Sequence, residues 1–149
     1  MLGILLLAAL SGLLFNALMP QGIGWLPPEV SHPRWQGVSL SRARALWEQG
    51  ALFVDARDPG LYQVARVKGA VNIYPAEMGL LLRLLQAKLK KAPALVVYGR
   101  SFSRFPAATV AQELKRRGFG QVLVMKAPFR EWRLAGYPTT EPRRRGRAS

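Results

Sequence analysis

Four short apolar runs alternate with helix-patterned segments along the middle of this chain, and that alternation is what most narrows its possible folds. The runs are ALFVDAR (51–57), GAVNIY (69–74), ALVVY (94–98) and QVLVM (121–125). Each is too short for a helix and apolar on both alternating sets of positions, as expected of a strand covered on both faces. Between them lie segments with helical periodicity. RARALWEQG (42–50) follows Ser41 as a cap, carries Ala43, Leu46 and Trp47 on one face and stops at Gly50. Pro75 opens a leucine-rich helix ending in Lys90 and Lys91, its six leucines read as core. PAATVAQELKRRG (106–118) is amphipathic and closes at Gly118, and FREWRLAG (129–136) is the last helix. The expected fold class is α/β: a five-stranded parallel sheet with helices on both faces.

A different pattern precedes this region. Residues 2–19, LGILLLAALSGLLFNALM, hold no charge, and eighteen helical residues span about 27 Å, enough to cross a bilayer core. Trp25 follows at headgroup distance. A cleavable signal peptide is the competing reading, but no basic residue precedes the run and no clean A-x-A site stands before Pro20. The expected organisation is a transmembrane anchor at 1–19, a Pro-rich tether at 20–36 and a folded domain at 37–138. A basic tail at 139–149 is expected to be disordered. All basic residues lie after the span, which favours a single-pass protein with its domain in the cytoplasm; an extracytoplasmic domain is the alternative.

Twenty-two Lys and Arg against 8 Asp and Glu give a formal charge of +14, which suits an anionic surface or ligand. The basic clusters at 115–117 and 143–147 lack aromatic interleaving and any nucleic-acid module, so a membrane-adjacent surface is expected rather than nucleic acid. No cysteine occurs, which excludes disulfides, thiolate metal sites and thiol catalysis. The lone His32 sits in the tether and is read as a linker residue; no metal or cofactor is expected.

Three pieces in order resemble the rhodanese-like domain, the sulfurtransferase family. LFVDARDPGLYQVARVKGAVNI (52–73) resembles its early segment, LVVYGRSFSRFPAATVAQELKRRGF (95–119) its active-site strand, loop and helix, and VLVMKAPFREWRLAGYP (122–138) its closing segment with Trp132. The resemblance implies the same helix-covered parallel sheet. It also places the family's sulfur-carrying cysteine at Gly99, which has no atom to hold sulfur. Four residues separate Gly99 from Arg104, the sulfurtransferase loop length. Arg66 stands where the family commonly has His, and Ala127-Pro128 replaces a common Gly-Gly.

Ser101 and Ser103 are possible substitute nucleophiles, but no His or carboxylate lies in the loop to activate them. What the loop can retain is anion binding by backbone N–H groups together with Arg100, Ser101, Ser103 and Arg104. Against this stands a loop whose Phe102 and Phe105 fill the pocket. Asp55, Arg57 and Trp132 are read as structural. The expectation is therefore a membrane-anchored rhodanese-like domain without catalytic activity, binding a membrane-associated protein or a small anion. Its alternatives are an enzyme of altered chemistry using the loop as an anion cradle, and a basic lipid- or nucleic-acid-binding protein.

Overall fold

Leu95–Tyr98 and Val122–Met125 are buried at every position, which only the middle of a sheet covered on both sides allows. In the computed structural model, which describes residues 35–100 and 105–141, they are central strands β5 and β6 of a five-stranded, wholly parallel sheet. The order is β1 (Gln36–Val38), β6, β5, β2 (Leu52–Asp55), β4 (Val71–Asn72). β2 pairs with β5 from Leu52 opposite Leu95 to Asp55 opposite Tyr98, so Asp55 and Tyr98 end neighbouring strands in register.

Two apolar layers sandwich the sheet. On one face Phe53, Val96, Tyr98, Leu123 and Met125 pack with Ala43 and Leu46 of α1 (Leu40–Glu48) and with Phe129 and Trp132 of α5 (Phe129–Leu134). On the other, Val54, Leu95, Val97, Val122 and Val124 meet Leu82 and Leu89 of α3 (Met78–Lys91) and Ala107, Val110, Ala111 and Leu114 of α4 (Phe105–Arg116). Gly50 and Gly118 take φ of +84° and +77° just after α1 and α4, the left-handed backbone that ends a helix most cheaply with glycine.

Several details depart from the expectations of the sequence. The fifth strand is Gln36–Val38, whose first residue the sequence pattern puts in the tether; pairing with β6, from Gln36 opposite Leu123 to Val38 opposite Met125, creates it. Ser39, not Ser41, caps α1: its Oγ accepts from the Arg42 N–H at 3.2 Å and lies 3.1 Å from the Ser41 Oγ. A short helix α2 (Pro59–Val64) follows β2, with Asp58 accepting from the Gly60 N–H at 2.8 Å and Pro59 in the first turn. Thr139 and Thr140, expected in the disordered tail, form β7, antiparallel to β3 (Arg66–Val67). The Trp132 indole and the Lys68 N–H both donate to the Pro138 carbonyl and hold this segment to the domain. Pro75 opens a 3-10 turn (Pro75–Glu77) before α3, and of that helix's leucines only Leu82 and Leu89 are buried; Leu80 and Leu84 face solvent.

Among the described residues no helix is long and apolar enough to cross a membrane. The apolar run at 2–19, most of the tether with His32, the loop residues Ser101, Phe102, Ser103 and Arg104, and the tail from 142 onward lie outside the described residues.

Candidate functional site

The strand register brings Asp55 and Tyr98 together at the carboxyl edge of the sheet, where open α/β folds bind their ligands. Asp55 is fully buried and Arg57 nearly so. The Asp55 Oδ1 accepts from the Arg57 backbone N–H at 3.0 Å and from Nε at 2.9 Å. Oδ2 accepts from Nε at 3.1 Å, from Nη2 at 2.6 Å and from the Tyr98 hydroxyl at 2.7 Å. The guanidinium also donates to the Ala65 carbonyl at 2.6 Å and lies 4.0 Å from the centre of the Phe129 ring, while Tyr98 accepts from the Val67 N–H at 3.2 Å. The Asn72 amide joins the knot by donating to the Asp55 and Arg57 carbonyls at 2.8 and 2.9 Å.

These contacts fix the protonation states. Burial works to lower the Arg57 pKa, but hydrogen bonds and the charge of Asp55 outweigh it and the net shift is upward. Burial, reinforced by the Asp55 charge, pushes the Tyr98 hydroxyl well above its ordinary value, so it remains a donor. With both oxygens occupied and no exposure, Asp55 is sealed away from any substrate proton. The knot ties β2, β5 and the segment before β3 together.

Gly99 follows Tyr98 directly and is buried; its carbonyl accepts from the Phe129 N–H at 3.1 Å. A Cβ placed on it would lie 3.6 Å from the Ala107 Cβ in the first turn of α4, an ordinary contact. Beside it opens a cleft of about 330 Å³ between α2 and α5. Four guanidinium side chains border it: Arg57, Arg100, Arg130 and Arg133. The remaining wall is apolar, from Leu61, Val64, Ala65 and Phe129, and among the described residues it contains neither His nor a carboxylate.

Of the sequence-derived site residues, the structure places Arg100 on this cleft, while Gly99, the residue before it, is buried, and Ser101, Ser103 and Arg104 lie outside the described residues. Phe105, which one of the two sequence readings puts in the pocket, is 63% exposed at the start of α4 and turned to solvent. Trp132 is fully buried against Phe53 and Tyr137, with ring centres 5.1 Å away in each case. Arg66 donates to the Tyr62 carbonyl and covers the Tyr62 ring. In the 115–117 cluster Arg116 and Arg117 both bind Glu113, and Lys115 donates to the Gly120 carbonyl, so these cations are largely engaged locally. Sequence reasoning missed Arg130 and Arg133. Their signal was present in FREWRL: two arginines three apart on the helix whose buried face carries Phe129 and Trp132. Among the described residues no group of three or more His, Asp or Glu is placed to hold a metal ion.

The rhodanese-like domain family model matches residues 39–135. No curated protein matches the chain significantly. Among solved structures, the rhodanese-like domain of an Anabaena protein superposes with a TM-score of 0.58 at 20% identity, covering 76% of this chain and 85% of that one. A Rhodopseudomonas palustris protein of unknown function, described as a possible tyrosine phosphatase, gives 0.56 at 20% identity, covering 82% and 99%. A thiosulfate sulfurtransferase from Pseudomonas aeruginosa gives 0.56 at 21% identity over 71% of this chain and 20% of its own length. At these identities the likeness is one of fold.

Proposed function

The chain belongs to the rhodanese-like domain family, and from that premise we propose that its domain works without sulfur chemistry, as a module that binds an anion at the carboxyl edge of the sheet. One observation carries the reading: the position after β5, where the family resemblance puts the sulfur-carrying cysteine, is Gly99, in a chain with no cysteine at all. Anion binding is supported by the arginine-bordered cleft beside it, which among the described residues offers guanidinium donors and no carboxylate to compete for them. The same absence of a carboxylate or imidazole argues against hydrolysis by a loop serine, since a base would have to come from another segment or a partner. In this reading the apolar run at 2–19 anchors the module in a membrane, with the domain on the cytoplasmic side. A membrane-associated protein bearing an acidic group is the other occupant the cleft's charge would suit.

The test is incubation of the full chain with thiosulfate and cyanide, followed by intact-mass measurement and thermal melts in sulfate. No thiocyanate, no gain of a sulfur atom and a sulfate-dependent rise in Tm that Arg100→Ala diminishes are expected. Turnover or covalent sulfur loading would overturn the sulfur-free reading, and a Tm indifferent to anions would overturn the binding reading.

A further inference from the structure

The cleft beside Gly99 is chemically two-sided. Arg57 contributes little net charge to it, because Asp55 holds its guanidinium in a buried pair at 2.6 Å. Arg100, Arg130 and Arg133 are different: all three are exposed, and their guanidinium groups make no ion pair or hydrogen bond among the described residues. Three like charges around one concavity repel one another until an anion is placed among them. Opposite them, α2 presents Leu61 and Val64, three apart on one helix face and 37% and 64% exposed.

We propose that this cleft binds an amphipathic organic anion, its acidic group held by Arg100, Arg130 and Arg133 and a short apolar body laid on Leu61 and Val64. The proposal rests on the anion-binding reading above and specifies the ligand class of that site. A bare inorganic anion would use only solvent-exposed guanidinium groups, whose pairing is weak in water. The apolar wall supplies the area that distinguishes an organic anion from phosphate or sulfate. A volume of about 330 Å³ stands at the small end of pockets for small organic ligands. It suits a single ring or short chain better than a long polymer.

Calorimetric titration of the full chain with inorganic phosphate, phenyl phosphate and phenol tests this. Phenyl phosphate is expected to bind about tenfold tighter than phosphate, the gain from partial burial of one ring, with phenol showing no heat of binding. Arg130→Ala combined with Arg133→Ala should weaken phenyl phosphate about tenfold, and Val64→Ser should narrow its advantage over phosphate while leaving phosphate unchanged. All three substituted side chains are at the surface, and unchanged melting curves confirm folding. Equal affinity for the two phosphates refutes the amphipathic ligand but leaves the anion site standing. No binding of either refutes both. Phenyl phosphate affinity unmoved by the double arginine variant refutes this location.

Discussion

Replacing Asp55 with asparagine isolates the contribution of the buried knot, because the change preserves shape and removes one charge. The Asp55 carboxylate is fully buried and accepts from the Arg57 backbone, from its Nε and Nη2, and from the Tyr98 hydroxyl. An amide offers one oxygen and one NH2, so in either orientation a donor is turned toward Arg57 or toward Tyr98. The guanidinium, with 7% of its side chain exposed, then has no counter-charge within the knot. Leaving one buried charge unpaired costs about 3–5 kcal/mol, which is a third or more of the total stability of an average domain. For a domain of this size that corresponds to a fall in Tm of about 12–20 °C. Urea unfolding followed by circular dichroism measures the cost directly. Arg57→Met should be similarly damaging, but Asp55→Asn with Arg57→Met should cost at least about 1 kcal/mol less than the sum, since neither charge is stranded. A cost below about 1 kcal/mol for Asp55→Asn, or strict additivity of the two changes, would refute the claim that the pair is held by charge.

Glu113, which accepts from Arg116 and Arg117, has its pKa lowered to about 2 from 4.5, chiefly by the Arg116 hydrogen bonds. Because the folded value lies below the unfolded one, its contribution is complete above pH 4.5 and is lost as pH falls toward 2. The Tm difference between the native chain and Glu113→Gln should therefore shrink across that window, and a constant difference contradicts the pairing. Gly99→Cys should fold with Tm unchanged or slightly raised, since the new Cβ meets Ala107 at 3.6 Å and the unfolded chain loses freedom. With Phe105 turned outward, its thiol should gain one sulfur atom on exposure to thiosulfate, read by intact mass; an unmodified thiol means the cradle itself is lost. Trp132→Ala, which empties a fully buried site between Phe53 and Tyr137 and removes the donor to Pro138, should cost about 3–5 kcal/mol in denaturant titrations. A cost under about 1 kcal/mol would mean that the closing segment is not held through this side chain.

The central strands were legible because burial on both faces writes itself as unbroken apolar runs, as in Leu95–Tyr98 and Val122–Met125. The edge strand Gln36–Val38 was not, because only Val38 is buried and its pairing with Met125 comes from tertiary structure alone. Thr139 and Thr140 escaped for the same reason: two half-buried residues become a strand only through β3 and the two donors on the Pro138 carbonyl. Leu80 and Leu84 misled in the opposite direction, since in so leucine-rich a helix composition hides which residues face the sheet. At the site, Gly99 and Arg100 could be placed from the strand that precedes them. Arg130 and Arg133 belong to a helix some thirty residues later, and only the packing of α5 beside α2 brings them to the same cleft.

That separation bears on how the carboxyl edge of the sheet keeps its shape with glycine at residue 99. The groups that shape the edge, Asp55, Arg57, Asn72 and Tyr98, bond chiefly to one another and to nearby backbone, so their geometry is independent of the side chain at residue 99. Glycine there leaves these contacts untouched and leaves its carbonyl free to receive the Phe129 N–H, which starts α5 at the cleft. With Arg57 cancelled by Asp55, the positive charge available to a ligand comes from the exposed Arg100, Arg130 and Arg133. Salt screens exposed charges over about 8 Å at physiological ionic strength, so this field acts on a ligand already at the cleft rather than one far away. On the proposed reading, recognition depends on contact, and the contact surface contains leucine and valine as well as arginine. The edge thus keeps its shape through the knot and its charge through Arg100 and the two arginines of α5, and neither requires sulfur.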